Sequence, residues 1–469
     1  MGIEFFILMK SEWALMLIIF ILLIIKVNGT YQDNAKLLLF TNILLALNFM
    51  LGFVSNQSGM LFNSMFHTNS LIAFEKNILN FATLIISLQA YTWLKNHKHM
   101  LEYYMLLLTT LLGMFFMISS GNFLMFYLGL ELSAIPLAAL VNFDLDKLKS
   151  SEAAMKMVLL SAFASGIMLF GISMIYGTTG SLNFAELPAL ITGSHLQILT
   201  LIFIFTGFAF KLSVVPFHLW TADVYEGAPV SITAYLSVVS KAAIVFVLIS
   251  TLSPLFAGLT TVWYNILFIS IILTIIVGNL FAIRQQNIKR FLAFSSIAQV
   301  GFILLAISAG TALSNTAAIF FLIVYTLSNL GVFGVIALVS DETGKENIDD
   351  YKGFYKTNPA LGWVIALSLF SLAGIPPTAG FFGKMFLITA GASKGSYILV
   401  GIAALNMVVS LYYYLKIVKT VFIDPNEEPI VPIKTNMYLK LSLGVCMIGI
   451  VITGFTSGLY DYIYLLFRL

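Results

Sequence analysis

Charge is scarce in this sequence: only 10% of its 469 residues are Asp, Glu, Lys or Arg, against 60% that are hydrophobic. A water-soluble domain carries about 25% charged and about 45–50% apolar residues. Too few polar side chains remain to cover a surface facing water, and a mean hydropathy of +0.98 says the same. The solvent of this chain is lipid. Cysteine is rarer still. The one thiol, Cys446, excludes an internal disulfide framework and a thiolate-held metal or iron–sulfur site. Five histidines are scattered, and only His97 and His99 stand close, in a basic helix edge (95–99) that reads as a wet interfacial turn. A net charge of +3 without a basic tail or patch gives nucleic acid nothing to bind. Phosphate loops, flavin or nicotinamide fingerprints and haem ligand pairs are also missing, so no redox chemistry is expected in this chain. The first apolar stretch (13–25) follows Glu4 and Glu12 and lacks a small-residue cleavage site, so it reads as a retained helix.

What is present is apolar sequence in lengths that fit a bilayer. A spanning helix needs about 20 mainly apolar residues. Segments of that length centre near residues 20, 46, 82, 110, 132, 165, 205, 240, 270, 300, 326, 375, 408 and 452, with the seventh and twelfth interrupted. The sequence therefore predicts an all-α polytopic membrane protein of about fourteen helices, with no soluble domain. Loops after odd-numbered helices hold Lys26, Lys36, Lys95, Lys98, Lys147, Lys149, Arg284, Lys289, Arg290, Lys345, Lys352, Lys356, Lys419 and Lys434. Loops after even-numbered ones hold only Lys76, at a helix edge, and Lys394. Cationic loops stay on the cytoplasmic side, so both termini are expected outside, in the periplasm of a bacterial inner membrane rather than in an organelle. Two broken segments match: Lys211 stands five residues before Pro216, and Pro376 and Pro377 shortly precede Lys384. Five helices separate them. An odd offset inverts the second unit, as in inverted-repeat transporters.

Lys156, Lys211, Lys241 and Lys384 remain at membrane depth once loop cations are set aside, and Glu131 is the acid nearest the middle of a predicted span. A charge at the bilayer centre costs roughly 2.5–3.5 kcal/mol on insertion scales. Leucine would serve a purely structural helix better, so such groups are functional candidates. Lysine suits proton transfer because burial can bring its affinity for a proton close to the working pH, whereas arginine stays protonated. Moving the Glu131 carboxylate towards or away from Lys211 would switch how tightly the amine holds its proton. Pro216 deprives the Leu212 carbonyl of its helical partner, and Pro376 and Pro377 do the same for Leu372 and Ala373. Unpaired backbone at this depth is tolerated only inside protein or beside water. Each break therefore marks a hydrated pocket next to an amine, and His218 stands where it would relay protons between Lys211 and Lys241.

Blander readings exist. Lys156 follows Ser150, Ser151 and Glu152 by about one turn, which allows it to snorkel to the cytoplasmic surface, and Glu152 fits a first-turn partner of the helix dipole. His218 has the place of a hydrogen-bonded helix-end residue. Glu75 and Lys76 sit at the outer end of the third span and read as interfacial. The many Phe and Met side chains are packing and lipid contact. Lys211, Lys241 and Lys384 are hard to explain by a structural role.

The run from Gly207 to Pro229, GFAFKLSVVPFHLWTADVYEGAP, resembles the antiporter-like subunits of respiratory complex I, and most closely subunit N, called subunit 2 in mitochondria. Gly129-Leu-Glu131-Leu, Ser240-Lys241-Ala-Ala, Gln286-Asn-Ile-Lys289-Arg290, Ser295-Ser-Ile-Ala and the stretch from Leu372 to Lys384 match as well. The resemblance covers almost the whole chain. It implies a proton-translocating subunit of NADH-quinone oxidoreductase with two inverted five-helix half-channels, helices four to eight (101–252) and nine to thirteen (253–421). An N-terminal three-helix segment (1–100) and a C-terminal loop and helix (422–469) flank them. It implies that Glu131 and Lys211 form the first-half pair, modulated by Lys156, that Lys241 connects the halves, and that Lys384 is the second-half lysine. Neighbouring antiporter-like subunits are implied as partners. Quinone, FMN and iron–sulfur clusters would reside in other subunits, and this chain would hold no cofactor or metal.

Two positions depart from the family pattern. Ala222 stands where a proline is usual, and Gln299 where many relatives carry histidine. A glutamine orients water but does not titrate. Rival expectations are a subunit of a multi-subunit sodium/proton antiporter or membrane-bound hydrogenase, and a stand-alone secondary transporter. The run around Trp220 and the short tail after the last helix favour subunit N over the former. Breaks carrying lysines among apolar neighbours, instead of solute-binding polar clusters, argue against the latter.

Overall fold

A computed structural model describes residues 2–29, 33–54 and 57–468. Thirteen helices among them are long and apolar enough to cross a membrane. They are α1 (Lys10–Asn28), α2 (Asn34–Leu51), α3 (Ser70–Gln89), α4 (Met100–Ile118), α5 (Phe123–Val141), α6 (Leu148–Thr179) and α7 (His195–Leu212). Then follow α8 (Val230–Leu255), α9 (Ala257–Ile283), α10 (Ile288–Ile307), α11 (Ala312–Thr343), α13 (Tyr397–Phe422) and α14 (Met437–Phe455). The remaining crossing, α12, is made in two pieces, Pro359–Ala373 and Ala379–Ser393, each too short to span alone. The count of fourteen therefore holds. The last helix centres nearer its start than expected, because a separate short helix, Gly458–Leu466, ends the chain. A small hairpin, β1 (Gly59–Leu61) with β2 (Phe66–Thr68), fills the loop before α3.

The termini of these helices follow from local chemistry. Asn69, Asn122, Ser194 and Asn436 each accept an N–H of the first turn through their side chains, and Gly180 and Gly344 close α6 and α11 in the left-handed conformation. α1 starts, and α14 finishes, at one end of the bundle, here called the terminal end; residues 1 and 469 lie outside the described residues. The cationic loops gather at the other, basic end.

Burial is uneven. The most apolar stretch of α8 is 100% buried and those of α10 and α11 are 94% buried, whereas those of α1 and α13 are 28% buried. The bundle thus has a central wall of α8, α10 and α11 that meets protein on all sides, with the other helices turned partly to lipid. Glycine permits the closest approach. A Cβ on Gly113 of α4 would lie 2.5 Å from the Ser133 nitrogen of α5, and one on Gly129 would lie 2.6 Å from the Met117 nitrogen.

The two breaks are built alike. α7 continues past its break as a short second piece, Leu219–Gly227; in the break Ser213 adopts a left-handed φ of 64°, the Val214 N–H reaches back to the Ala209 carbonyl, and the Phe217 N–H bonds the Val214 carbonyl. In α12, Gly374 has φ 84°, the Ile375 N–H reaches the Phe370 carbonyl, and the Thr378 N–H bonds the Ile375 carbonyl. A cis proline follows in both, Pro216 and Pro377. Every pair of counterparts is separated by the same number of residues, while α7 runs from the terminal end and α12 from the basic end. The inversion of the repeat is visible in the backbone itself. In this register Lys384 is the counterpart of Asp223, and Lys211 of Leu372.

Candidate functional site

Lys384 lies after the α12 break and is fully buried. Its Nζ donates to the Ala373 carbonyl at 3.2 Å and the Ser410 Oγ at 3.4 Å, and lies 5.4 Å from the Phe302 ring centre. The neighbouring carbonyl, of Leu372, accepts from Gln299 Nε2 at 3.3 Å. Both carbonyls that Pro376 and Pro377 release are thus taken by polar side chains. Gln299 also donates to the Tyr414 hydroxyl at 3.1 Å, and Tyr414 hydrogen-bonds Ser295. The next residue, Ser296, accepts from Lys241 Nζ at 2.7 Å. Polar groups of α10 therefore lie between the two buried lysines in bonded pieces, which meet at the adjacent residues Ser295 and Ser296 and at the adjacent carbonyls of Leu372 and Ala373.

Lys241 itself is 2% exposed, on a helix with no lipid-facing surface in its apolar stretch. A π-helical turn, Leu236–Ser240, ends immediately before it. Such bulges rotate the following side chains and recur at functional sites. Here the rotation brings Lys241 under the Tyr225 ring and onto α10, which belongs to the other repeat.

The first-half groups sit at the edge of the chain. Lys211 is half-buried and donates to Ser161 Oγ of α6 at 3.3 Å. Glu131 and Lys211 make no direct ion pair, and Glu131 Oε1 is buried without a hydrogen-bond partner. His218 is buried at the start of the second piece of α7; its Nδ1 has no partner, and neither Lys211 nor Lys241 is bonded to it. Nearby, Trp220 Nε1 donates to the Phe210 carbonyl at 3.1 Å and Thr274 caps the Val215 N–H at the same distance.

Lys156 is drawn into a different arrangement. Its Nζ meets Glu152 at 2.6 Å and Asp223 at 2.7 Å; Arg290 pairs with Asp223 at 2.7 Å and Glu226 at 2.9 Å, and Lys149 with Glu226 at 3.0 Å. This lattice ties α6 and α7 to α10 across the two repeats at the basic end. The short helix and loop after α3 also lie there. His97 stacks on Phe143 at 4.8 Å, and burial pushes its imidazole below the usual histidine range.

Two groups of buried charges escaped the sequence reading. Lys289, counted among loop cations, is 4% exposed; its Nζ meets Glu346 at 2.8 Å and the Ala228 carbonyl at 3.3 Å. It lines a cavity of about 660 Å³ at the basic end, with Asp144, Glu226, Ser231, Asp341 and Glu346. Glu75 and Lys76 face protein and not solvent: both are buried, and Lys76 pairs with the fully buried Glu12 of α1. An acid ahead of the first apolar run looks like a flank in one dimension; helix packing folds it inward. No group of three or more potential metal ligands forms among the described residues.

Residues 120–410 match the family model described as NADH:quinone oxidoreductase/Mrp antiporter, transmembrane. NADH-quinone oxidoreductase subunit N of Phocaeicola vulgatus is 52% identical over 406 residues, covering 86% of this chain and 86% of that protein. The subunit N of Azobacteroides pseudotrichonymphae is 52% identical over 410 residues, covering 86% and 85%. A chain of respiratory complex I from Thermus thermophilus superposes with a TM-score of 0.81 at 27% identity, over 96% of this chain and 97% of that one. A chain of the Mrp complex from Dietzia sp. shares the fold, with a TM-score of 0.80 at 18% identity over 99% of both. At 52% identity to two subunit N proteins over 86% of its length, the chain belongs to the subunit N family of NADH-quinone oxidoreductases.

Proposed function

We propose that this subunit moves protons along the file Lys241–Ser296–Ser295–Tyr414–Gln299–Lys384, and that Glu131 and Lys211 form its first-half gate. The chain is a membrane-arm, proton-translocating subunit of NADH-quinone oxidoreductase and sits with other antiporter-like subunits of that arm. The observation that supports the residue assignment is a set of hydrogen-bonded polar groups between two buried lysines on opposite repeats, with the Ser295–Ser296 and Gln299–Lys384 steps left for water to bridge. Proton transfer needs partners within hydrogen-bond reach, directly or through one water, and this file satisfies that over most of its length.

In this reading residues 101–252 and 253–421 act as the two half-channels, with Lys241 passing protons between them. Lys156 acts at a distance, through Asp223 and Arg290, by setting how α6, α7 and α10 sit together. His218, next to the α7 break, serves Lys211 through water. Quinone, FMN and iron–sulfur clusters belong to partner subunits, whose redox steps drive the charge movements here. The chain crosses a bacterial inner membrane with both termini on the periplasmic side, as the clustering of Lys and Arg at one end supports.

The deciding experiment compares proton uptake with quinone reduction in membranes carrying Lys241→Ala. Assembled complex with impaired proton uptake is expected. Normal uptake in an assembled variant removes Lys241 from the path.

A further inference from the structure

Helix α3 lies outside both five-helix repeats, yet it carries a continuous polar stripe. Lys76, Asn80, Thr83 and Ser87 are all buried, with at most 3% exposed. Their spacing of four, three and four residues places them on one helix face, and at 1.5 Å per residue the stripe covers roughly 16 Å of the bilayer. Each position meets polar groups from other helices or its own turn. Lys76 pairs with Glu12; Asn80 accepts from Asn48 Nδ2 at 2.7 Å; Thr83 bonds the Leu79 carbonyl at 2.8 Å. Ser87 bonds Asn42 Oδ1 and the Tyr104 hydroxyl, both at 2.7 Å.

The stripe runs between two openings. At the basic end, Ala90, Thr92 and Trp93, just beyond the last residue of α3, line the 660 Å³ cavity. At the terminal end, Lys76 itself lines a small cavity with Lys10, Ser11 and Thr68, whose volume of about 10 Å³ suits a single water. Between them lie buried polar atoms without partners: Glu12 Oε2, Asn42 Nδ2, Asn48 Oδ1, Asn77 Oδ1 and both carboxylate oxygens of Glu75. Polar side chains do hold membrane helices together. That role explains Asn48 with Asn80 and Ser87 with Asn42. It does not explain a buried lysine–glutamate pair beside a second, unpartnered carboxylate, since a buried ion pair is a poor stabiliser compared with apolar packing. Unpartnered buried groups of this kind take up water or protons.

We propose that the N-terminal segment carries a third polar file, a water-lined proton path along α3 between the basic-end cavity and the Glu12–Lys76 pair. The hydroxyls of Ser87 and Tyr104 accept a proton on one lone pair and release their own. The asparagines orient waters, and the carboxylate–amine pair exchanges one proton with the terminal-end cavity for each that enters. The inference rests on the proton-translocating reading of this chain and adds a route that the two half-channels do not contain.

The test uses the whole complex in reconstituted vesicles. Thr83→Cys is treated with a small cationic thiol reagent and its labelling compared with that of buried Cys446 in the same subunit. Asn80→Leu, which plugs the middle of the stripe with an apolar group, is assayed for protons moved per NADH oxidised, with Asn80→Ser as the polar control. Labelling of Thr83→Cys at least tenfold faster than Cys446 is expected. So is a twofold or greater fall in coupling for Asn80→Leu, restored by Asn80→Ser. Labelling no faster than that of Cys446, or normal coupling in Asn80→Leu, overturns the proposal, as does a fall that Asn80→Ser shares. Lys384→Ala run in parallel separates the two readings: if it pumps normally the half-channel assignment fails, whatever α3 does.

Discussion

The amine of Lys384 and the carbonyl of Ala373, eleven residues apart in one broken helix, are hydrogen-bonded at 3.2 Å across the break between them. The proline pair that interrupts α12 thus creates the acceptor that holds the lysine. Without the break, that oxygen would be occupied within the helix.

Lys384→Ala should lower proton translocation roughly tenfold or more, and Lys384→Arg should do little better, because a guanidinium keeps its charge and does not release a proton at working pH. Dye quenching in inverted membrane vesicles driven by NADH reads the effect. Full activity in the arginine variant would show that Lys384 contributes only its charge.

Gln299 is the junction of the file, donating to both the Leu372 carbonyl and the Tyr414 hydroxyl. Gln299→Leu leaves that carbonyl buried and unpaired, at a cost of about 1–3 kcal/mol, and interrupts the path. Lower coupling and a lower melting temperature of the complex are expected together. Gln299→His, which keeps a donor at the same place, should retain most of the coupling. If leucine couples as well as glutamine, protons do not pass Gln299.

In the proposed gate Glu131 acts on Lys211 through charge, since no ion pair joins the two and Glu131 Oε1 is without a partner. Glu131→Gln, nearly the same shape, should therefore leave assembly intact while slowing NADH-driven proton uptake several-fold. Moving the carboxylate one methylene back in Glu131→Asp should give an intermediate rate. Equal rates for all three side chains would argue that no gate resides there.

Lys156 is expected to matter less than Lys241. Its partners, Glu152 and Asp223, are partly exposed, and pairs of that kind contribute about 0.2–1 kcal/mol each. Lys156→Ala should shift stability by no more than this, whereas Asp223→Asn weakens two cationic partners at once and should be worse. Thermal unfolding and pumping of the two variants order them. The reverse order would restore Lys156 to a direct role.

The helix count, the two breaks and the lysines beside them were legible because each is local. Hydropathy fixes a span within about 20 residues, and a proline acts on its own helix. The burial of Glu75, Lys76 and Lys289 was missed for the same reason. Position along the chain put them near helix ends, and only neighbouring helices made those ends interior.

Sequence alone determined that this chain lives in lipid, how often it crosses, and which lysines stand beside the broken helices. The fold decided which groups meet: Lys241 with Ser296, Gln299 with Leu372, Lys156 with Asp223, and Lys76 with Glu12. Each of those pairs joins different helices, and each depends on how the helices are rotated. With about 100° between successive side chains, a helix can present almost any residue to a neighbour. The sequence supplies the candidates, and packing in three dimensions chooses among them.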